Sequence, residues 1–203
     1  MELNNNTYCV LWEPPENIQN FVFSKKNKVR TIAPNSSYLN HLVHSTLYVF
    51  NSAKDSSEII EKINNSIKNI QIFNINIYNW KVFYNDLITK SDTLVLEIEI
   101  NKKLLNIQNK IVKSLNSIRS NNIYYNNTWE GEYLKSYNNW GFPFVGNHWI
   151  PHITIASLSN QNKFINNTIQ EDINFPSLEF NSISLHLVKN NEHIKIKNFT
   201  LKS

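Results

Sequence analysis

His44-Ser45-Thr46-Leu47 and His152-Ile153-Thr154-Ile155 share one pattern: histidine, any residue, threonine, then an aliphatic residue. Each is set among apolar and β-branched residues, 43–50 for the first copy and 149–156 for the second. Side chains alternate faces along a strand. The histidine and threonine of each copy therefore share a face, and the residue between them enters the opposite layer. Each copy offers one imidazole and one hydroxyl. Together they supply a single cleft with an acid, a base and two hydroxyl donors.

The surroundings extend this pattern into an α+β chain. Residues 8–13 alternate as a short strand, with Tyr8, Val10 and Trp12 on one face and Cys9 and Leu11 on the other. Pro15 opens a short helix. Lys25, Lys26, Lys28 and Arg30 then read as a basic loop, with a phosphate-facing rim as the alternative. In the first motif strand, alternation puts His44, Thr46, Tyr48 and Phe50 on one face. Residues 56–70 have the helical period, with Ile59, Ile60, Ile63, Ile67 and Ile70 as the apolar stripe. Alternation returns over 71–85 and 93–100, where Leu94, Leu96, Ile98 and Ile100 point inward and Glu97 and Glu99 outward. A second helix spans 102–119 on Leu104, Ile107, Ile111, Leu115 and Ile118. Residues 121–146 show no clean period but many Tyr and Trp, which reads as a long functional loop. The second motif strand follows, then a short helix near 163–170 and a terminal hairpin turned at Asn190-Asn191. Two units of motif strand plus helix imply two similar antiparallel-sheet lobes facing one cleft, with the helices outside.

Composition limits the rest. The 203 residues, 41% of them hydrophobic, suit a single domain over 1–203 with a real core. A net charge of +4 without a Lys/Arg block permits a phosphate-bearing ligand and argues against a long duplex partner. The single Cys9 cannot form an internal disulfide, so a reducing compartment is expected. Residues 1–7 lack the apolar segment of a signal peptide. No apolar run approaches the ~20 residues that span a bilayer. A monomeric cytoplasmic protein is expected.

Two His-x-Thr-aliphatic strands in this element order resemble the 2H phosphoesterase superfamily, which includes the RNA 2',3'-cyclic phosphodiesterases and 2'-5' RNA ligases. The terminal hairpin ending in Phe199-Thr200-Leu201 is similar to the family's closing strands. The resemblance implies the bilobal fold and a metal-independent phosphodiesterase without cofactors. It implies His44 and His152 as the acid–base pair and Thr46 and Thr154 as donors to phosphate oxygens. The substrate would carry a ribose-adjacent phosphodiester: a 2',3'-cyclic phosphate, a 2'-5' oligonucleotide, or a cyclic oligonucleotide signal. The partner is thus a nucleotide or short oligonucleotide, with no membrane partner. Alternatives are a non-catalytic RNA- or nucleotide-binding module on the same fold, and a structural β-rich protein with coincidental motifs.

The residues suit that chemistry. Imidazole titrates near neutrality, so one histidine can be neutral while the other is protonated. Tyr8 and Trp12 on the first strand, and Trp140 and Trp149 before the second motif, are candidates for stacking bases. His148 and His152 have the helical metal-ligand spacing, but Pro151 between them breaks a helix there, so a metal is not expected. His41 and His44 would point to opposite faces of a strand. His186 and His193 read as surface or strand residues.

Overall fold

The computed structural model describes residues 5–120, 129–158, 172–190 and 192–203. In chain order these form β1 (Asn6–Trp12), α1 (Glu16–Ile32), β2 (Ser45–Ser52), α2 (Ser56–Ile67), β3 (Phe73–Ile75), β4 (Ile77–Phe83) and β5 (Asp92–Ile98). There follow α3 (Lys102–Asn116), α4 (Gly131–Trp140), β6 (His152–Leu158), β7 (Leu178–Phe180), β8 (Ser182–Lys189) and β9 (Glu192–Thr200). The helix expected near 163–170 lies outside the described residues. No helix among those described is long and apolar enough to cross a membrane.

Every strand pair is antiparallel. One sheet has the order β2-β1-β8-β9, a second β4-β5-β6, and β3 pairs with β7. Each motif strand thus sits at the edge of its own sheet, and β2 and β6 touch each other. The helices cross over between lobes: α1, which follows β1, packs on β6, while α3, which follows β5, packs on β2. This interlock gives the two sheets one continuous core, from Tyr8, Val10 and Tyr48 to Leu96, Ile111 and Ile153.

The helices start where the chain supplies caps. Asp55 accepts the Ser57 N–H at 2.8 Å, and Asn101 accepts the Leu104 N–H at 2.9 Å. Both then bury the apolar stripe that their period defines, Ile59, Ile63 and Ile67 on α2 and Leu104 to Leu115 on α3.

Four sequence expectations change. The basic stretch 25–30 is not a loop but the second half of α1, and Lys25 and Lys26 are almost fully buried. The aromatic segment contains α4, closed by Gly141 at φ +70, a left-handed C-cap that a Cβ would strain. Ile100 lies past the end of β5 and is exposed, whereas Glu97 is buried at its end.

The fourth change lies within the first motif. Leu11 pairs with Thr46 but Val10 pairs with Tyr48, so Leu47 is an extra residue in β2. The same skip recurs in the second sheet, where Val95 pairs with Thr154 and Leu94 with Ala156, leaving Ile155 extra. Both are β-bulges, and both fall on the aliphatic residue of His-x-Thr-aliphatic. Alternation restarts after each. Thr46 therefore faces opposite to Tyr48 and Phe50, whose rings stack 5.4 Å apart in the core and join Tyr8 there.

The carbonyls at the first bulge are taken by side chains. Trp149 Nε1–H donates to the Thr46 carbonyl at 2.9 Å. Buried Gln108, on α3, donates to the carbonyls of Leu47 and Phe144 and accepts the Gly146 N–H, each at 3.4 Å. A buried carbonyl left unpaired costs roughly 1–3 kcal/mol. Gln108→Leu, of similar size, is expected to lower unfolding stability by about 2 kcal/mol in urea titrations. Asn109→Leu, on the exposed side of the same helix, is expected to change it by less than about 0.5 kcal/mol.

Candidate active site

His44 lies one residue before β2, and His152 is the first residue of β6. Each imidazole is fixed in the same way. His44 Nδ1–H donates to the Leu42 carbonyl at 2.8 Å, and His152 Nδ1–H donates to the Ile150 carbonyl at 2.7 Å. A carbonyl can only accept, so this contact selects the tautomer and leaves Nε2 as the working nitrogen on both rings. Both histidines and both threonines, Thr46 and Thr154, are half-buried. The bulge at Leu47 turns Thr46 away from the face that carries Tyr48 and Phe50. The charge that each ring would carry is felt between the lobes, since His152 contributes to the perturbation of His44.

The electrostatic settings differ. Burial pushes His44 down to about 3, with the His193, His41 and His152 rings adding to the effect and the Leu42 carbonyl opposing it. Burial lowers His152 too, helped by Lys81, but the Ile150 carbonyl and the carboxylates of Asp86 and Glu97 work to raise it. Glu97 pairs across the sheet with His152 and is bridged to Lys81 at 2.6 Å. The ring of Phe83 meets His152 edge-on at 5.0 Å. His152 thus has anions around it, while His44 has imidazoles.

A matching carboxylate stands in the first lobe. Beyond the last pair of β1 with β2, Trp12 with Ser45, lie Glu13 and His44. Glu13 takes hydrogen bonds from Ser184 at 2.8 Å and Lys195 at 2.9 Å. Burial works to raise the Glu13 carboxyl, but these donors outweigh it and hold it below the usual range. Here the carboxylate faces His186 at 3.4 Å rather than the motif histidine.

Around His44 the terminal hairpin adds a histidine group. The His193 ring lies 4.7 Å from that of His44, and His41 and His186 lie 6.2 and 5.9 Å from His193. His41 does not alternate with His44 on a strand, because residues 41–44 precede β2 as an irregular segment. That segment is held by α1. Lys26 Nζ donates to the Tyr38 carbonyl at 2.6 Å and the His41 carbonyl at 3.1 Å, and Arg30 reaches Asn40 at 3.0 Å. Lys26 and Arg30, read from sequence as part of a basic loop with a phosphate-facing rim as the alternative, instead position the backbone leading into His44.

The aromatic candidates fare differently from the motif residues. Tyr8 stacks on Phe50 and Trp12 on Phe180, both inside the core, so neither ring has a free face for a base. Trp149 is buried and serves as the donor to Thr46. Trp140 is half-buried against the core, and its carbonyl accepts the Tyr48 hydroxyl at 2.5 Å. The first two are expected from sequence to stack bases, but β1 is a central strand whose even-numbered face is covered by core. Among the described residues, a half-buried ring beside a motif histidine is Phe83, against His152, while Tyr38 lies edge-on to His41 at 4.8 Å. Sequence reasoning also missed Glu97, Lys81, Cys9 and His193. Only the strand register brings them to the motifs.

Residues 14–194 match the family model of the 2'-5' RNA ligase superfamily. The fold is similar to that of E. coli LigT in its apo form, at 11% identity over 98% of this chain and 99% of that one, with a TM-score of 0.53. LigT complexed with 3'-AMP superposes at 9% identity over 98% and 100% of the two chains, with the same TM-score of 0.53. TT0787 of Thermus thermophilus shares 14% identity over 97% of this chain and 98% of that one, with a TM-score of 0.62. At these identities the structural likeness speaks to the fold alone. No curated protein sequence gives a significant match. With the family model covering most of its length and both His-x-Thr motifs inside the match, the chain belongs to the 2'-5' RNA ligase superfamily, the 2H phosphoesterases, whose members are enzymes of the phosphodiesterase type.

Proposed function

We propose that this protein is a metal-independent phosphodiesterase acting on a ribose-adjacent phosphodiester, with His44 as general base and His152 as general acid in hydrolysis. The observation that carries the reading is the matched pair of imidazoles, each with Nδ1–H held by the carbonyl two residues earlier and Nε2 left for chemistry. A binding module has no need of two proton carriers fixed in the same tautomer.

The roles follow from the surroundings. His44 sits among imidazoles and stays neutral at pH 7, so its Nε2 can take a proton from water. His152 sits beside Glu97 and Asp86, and the negative phosphodiester adds a further anion, so it is the ring better suited to hold a proton. The water oxygen attacks phosphorus as His44 removes its proton. The bond from phosphorus to the ribose oxygen breaks as His152 Nε2 gives that oxygen a proton. Thr46 and Thr154 donate to the non-bridging oxygens, where negative charge concentrates in the transition state. No step needs a metal or a cofactor. In the reverse direction the two histidines exchange roles.

The substrate is read as a nucleotide or short oligonucleotide: an RNA 2',3'-cyclic phosphate, a 2'-5' oligonucleotide, or a cyclic oligonucleotide immune signal. Phe83, half-buried beside His152, is the stacking surface this reading gives the base. Such a ligand fits a monomer of one domain in a reducing, cytoplasmic setting.

The direct test offers the protein a panel of 2',3'-cyclic nucleotides, 2'-5' and 3'-5' oligonucleotides, and cyclic oligonucleotides, with and without EDTA, reading products by mass. At least one member is expected to be cleaved, at an undiminished rate in EDTA. Turnover of none would favour the binding module. His44→Ala and His152→Ala are each expected to lower kcat by roughly 10²- to 10⁴-fold while leaving the circular-dichroism spectrum unchanged. Full activity in either variant contradicts the assignment.

The pH profile of kcat/KM separates the roles. The alkaline limb reports loss of the proton from the acid. The Glu97 carboxylate raises the pKa of His152, and its removal also leaves the Lys81 charge uncompensated. Glu97→Gln is therefore expected to move the alkaline limb to lower pH, whereas Glu58→Gln, at the surface on α2, leaves it in place.

A further inference from the structure

Beside His44 the first lobe gathers a thiol and several imidazoles, which acid–base chemistry does not require. Cys9 Sγ and one ring nitrogen each of His44 and His193 all lie within 4.8 Å of one another. Cys9 comes from the centre of β1, His44 from the segment before β2, and His193 from β9, so three separate backbone segments converge. His41 and His186 stand one ring further out, both beside His193. Tetrahedral zinc holds Cys S at ~2.3 Å and His N at ~2.0–2.1 Å, which places neighbouring donor atoms about 3.5 Å apart. The three donors stand at most 4.8 Å apart, so they draw together on binding to reach that spacing.

Two further features suit a metal. His44 Nδ1–H is tied to the Leu42 carbonyl, the outer contact that orients a metal-bound imidazole and leaves Nε2 as the ligand. His193 Nδ1 is buried and has no hydrogen-bond partner among the described residues. A thiol with two imidazoles is a borderline-soft set that selects zinc over magnesium or calcium.

We infer that Cys9, His44 and His193 form a zinc site whose occupation switches the enzyme off by taking the Nε2 lone pair of His44. Binding replaces the thiol S–H bond with a zinc–thiolate bond and releases that proton to solvent. The fourth position stays open to water. The inhibition rests on the reading of His44 as a catalytic base, whereas the binding of the metal does not.

The test uses the full chain, stripped of metal with chelator and dialysed. Titration with Co²⁺ is expected to saturate at one equivalent and to produce the thiolate-to-cobalt charge-transfer absorption. Cys9→Ser is expected to lose that band. His193→Gln, near the start of β9, is expected to weaken cobalt binding by about ten-fold or more. With the substrate found in the panel, stoichiometric Zn²⁺ is expected to abolish turnover in the unaltered protein, and EDTA to restore it. Each variant, compared with its own metal-free rate, is expected to resist the same zinc concentration. Absence of the charge-transfer band overturns the site, as does its persistence in Cys9→Ser. Zinc that leaves the rate unchanged, or raises it, overturns the switch. If cobalt binds as described but no substrate is cleaved, the metal site stands and the phosphodiesterase reading falls.

Discussion

One extra residue in each motif strand holds the site together. Without the bulges at Leu47 and Ile155, strict alternation would put Thr46 on the same face as Tyr48 and Phe50, in the aromatic core. With them, one strand serves two purposes: its first part aims a histidine and a threonine outward, and its remainder packs inward. A bulge leaves backbone groups without ladder partners and bends the strand. The first lobe meets that cost with Trp149 and Gln108, both buried and both bonded to the bulge carbonyls. These two residues link the second motif's approach and helix α3 to the first motif, so neither lobe is built without the other.

The two lobes repeat the frame but not its electrostatics. Both motif histidines are locked through Nδ1 by the carbonyl two residues earlier, and both lie near a glutamate bridged to a lysine. In the second lobe Glu97 pairs across the sheet with His152 itself. In the first lobe Glu13 is taken up by Ser184, His186 and Lys195, and His44 is left facing His193. Burial thus lowers both histidines, but the carboxylates beside His152 oppose that lowering, whereas the rings beside His44 add to it.

Much of this was legible in the sequence where the signal was local and repeated. The stripes of α2 and α3, the strands β1 and β5, the terminal hairpin and the two motifs could all be read locally, though the inward and outward faces of β5 could not, since Thr93 to Ile98 are all buried. Helix α1 could not, because Lys25 and Lys26 interrupt its buried face and imitate a solvated stretch. The bulges left no mark in composition, so Tyr48 and Phe50 were assigned to the wrong face. Tyr8 and Trp12 were placed at the cleft for a related reason: alternation tells which residues share a face, but not which face the core covers. His193 and Glu97 reach the motifs only through pairing between strands far apart in the chain.

The central claim is that His44 and His152 act as one pair on one phosphate, His44 neutral and His152 protonated. It is tested most directly by ¹⁵N NMR of the imidazole side chains during titration with a nucleoside monophosphate that the protein does not cleave. The account predicts that both rings start with the proton on Nδ1, that both shift with one shared dissociation constant, and that His152 gains a second proton while His44 Nε2 stays unprotonated. A shift confined to one ring, or protonation of His44 ahead of His152, would contradict it.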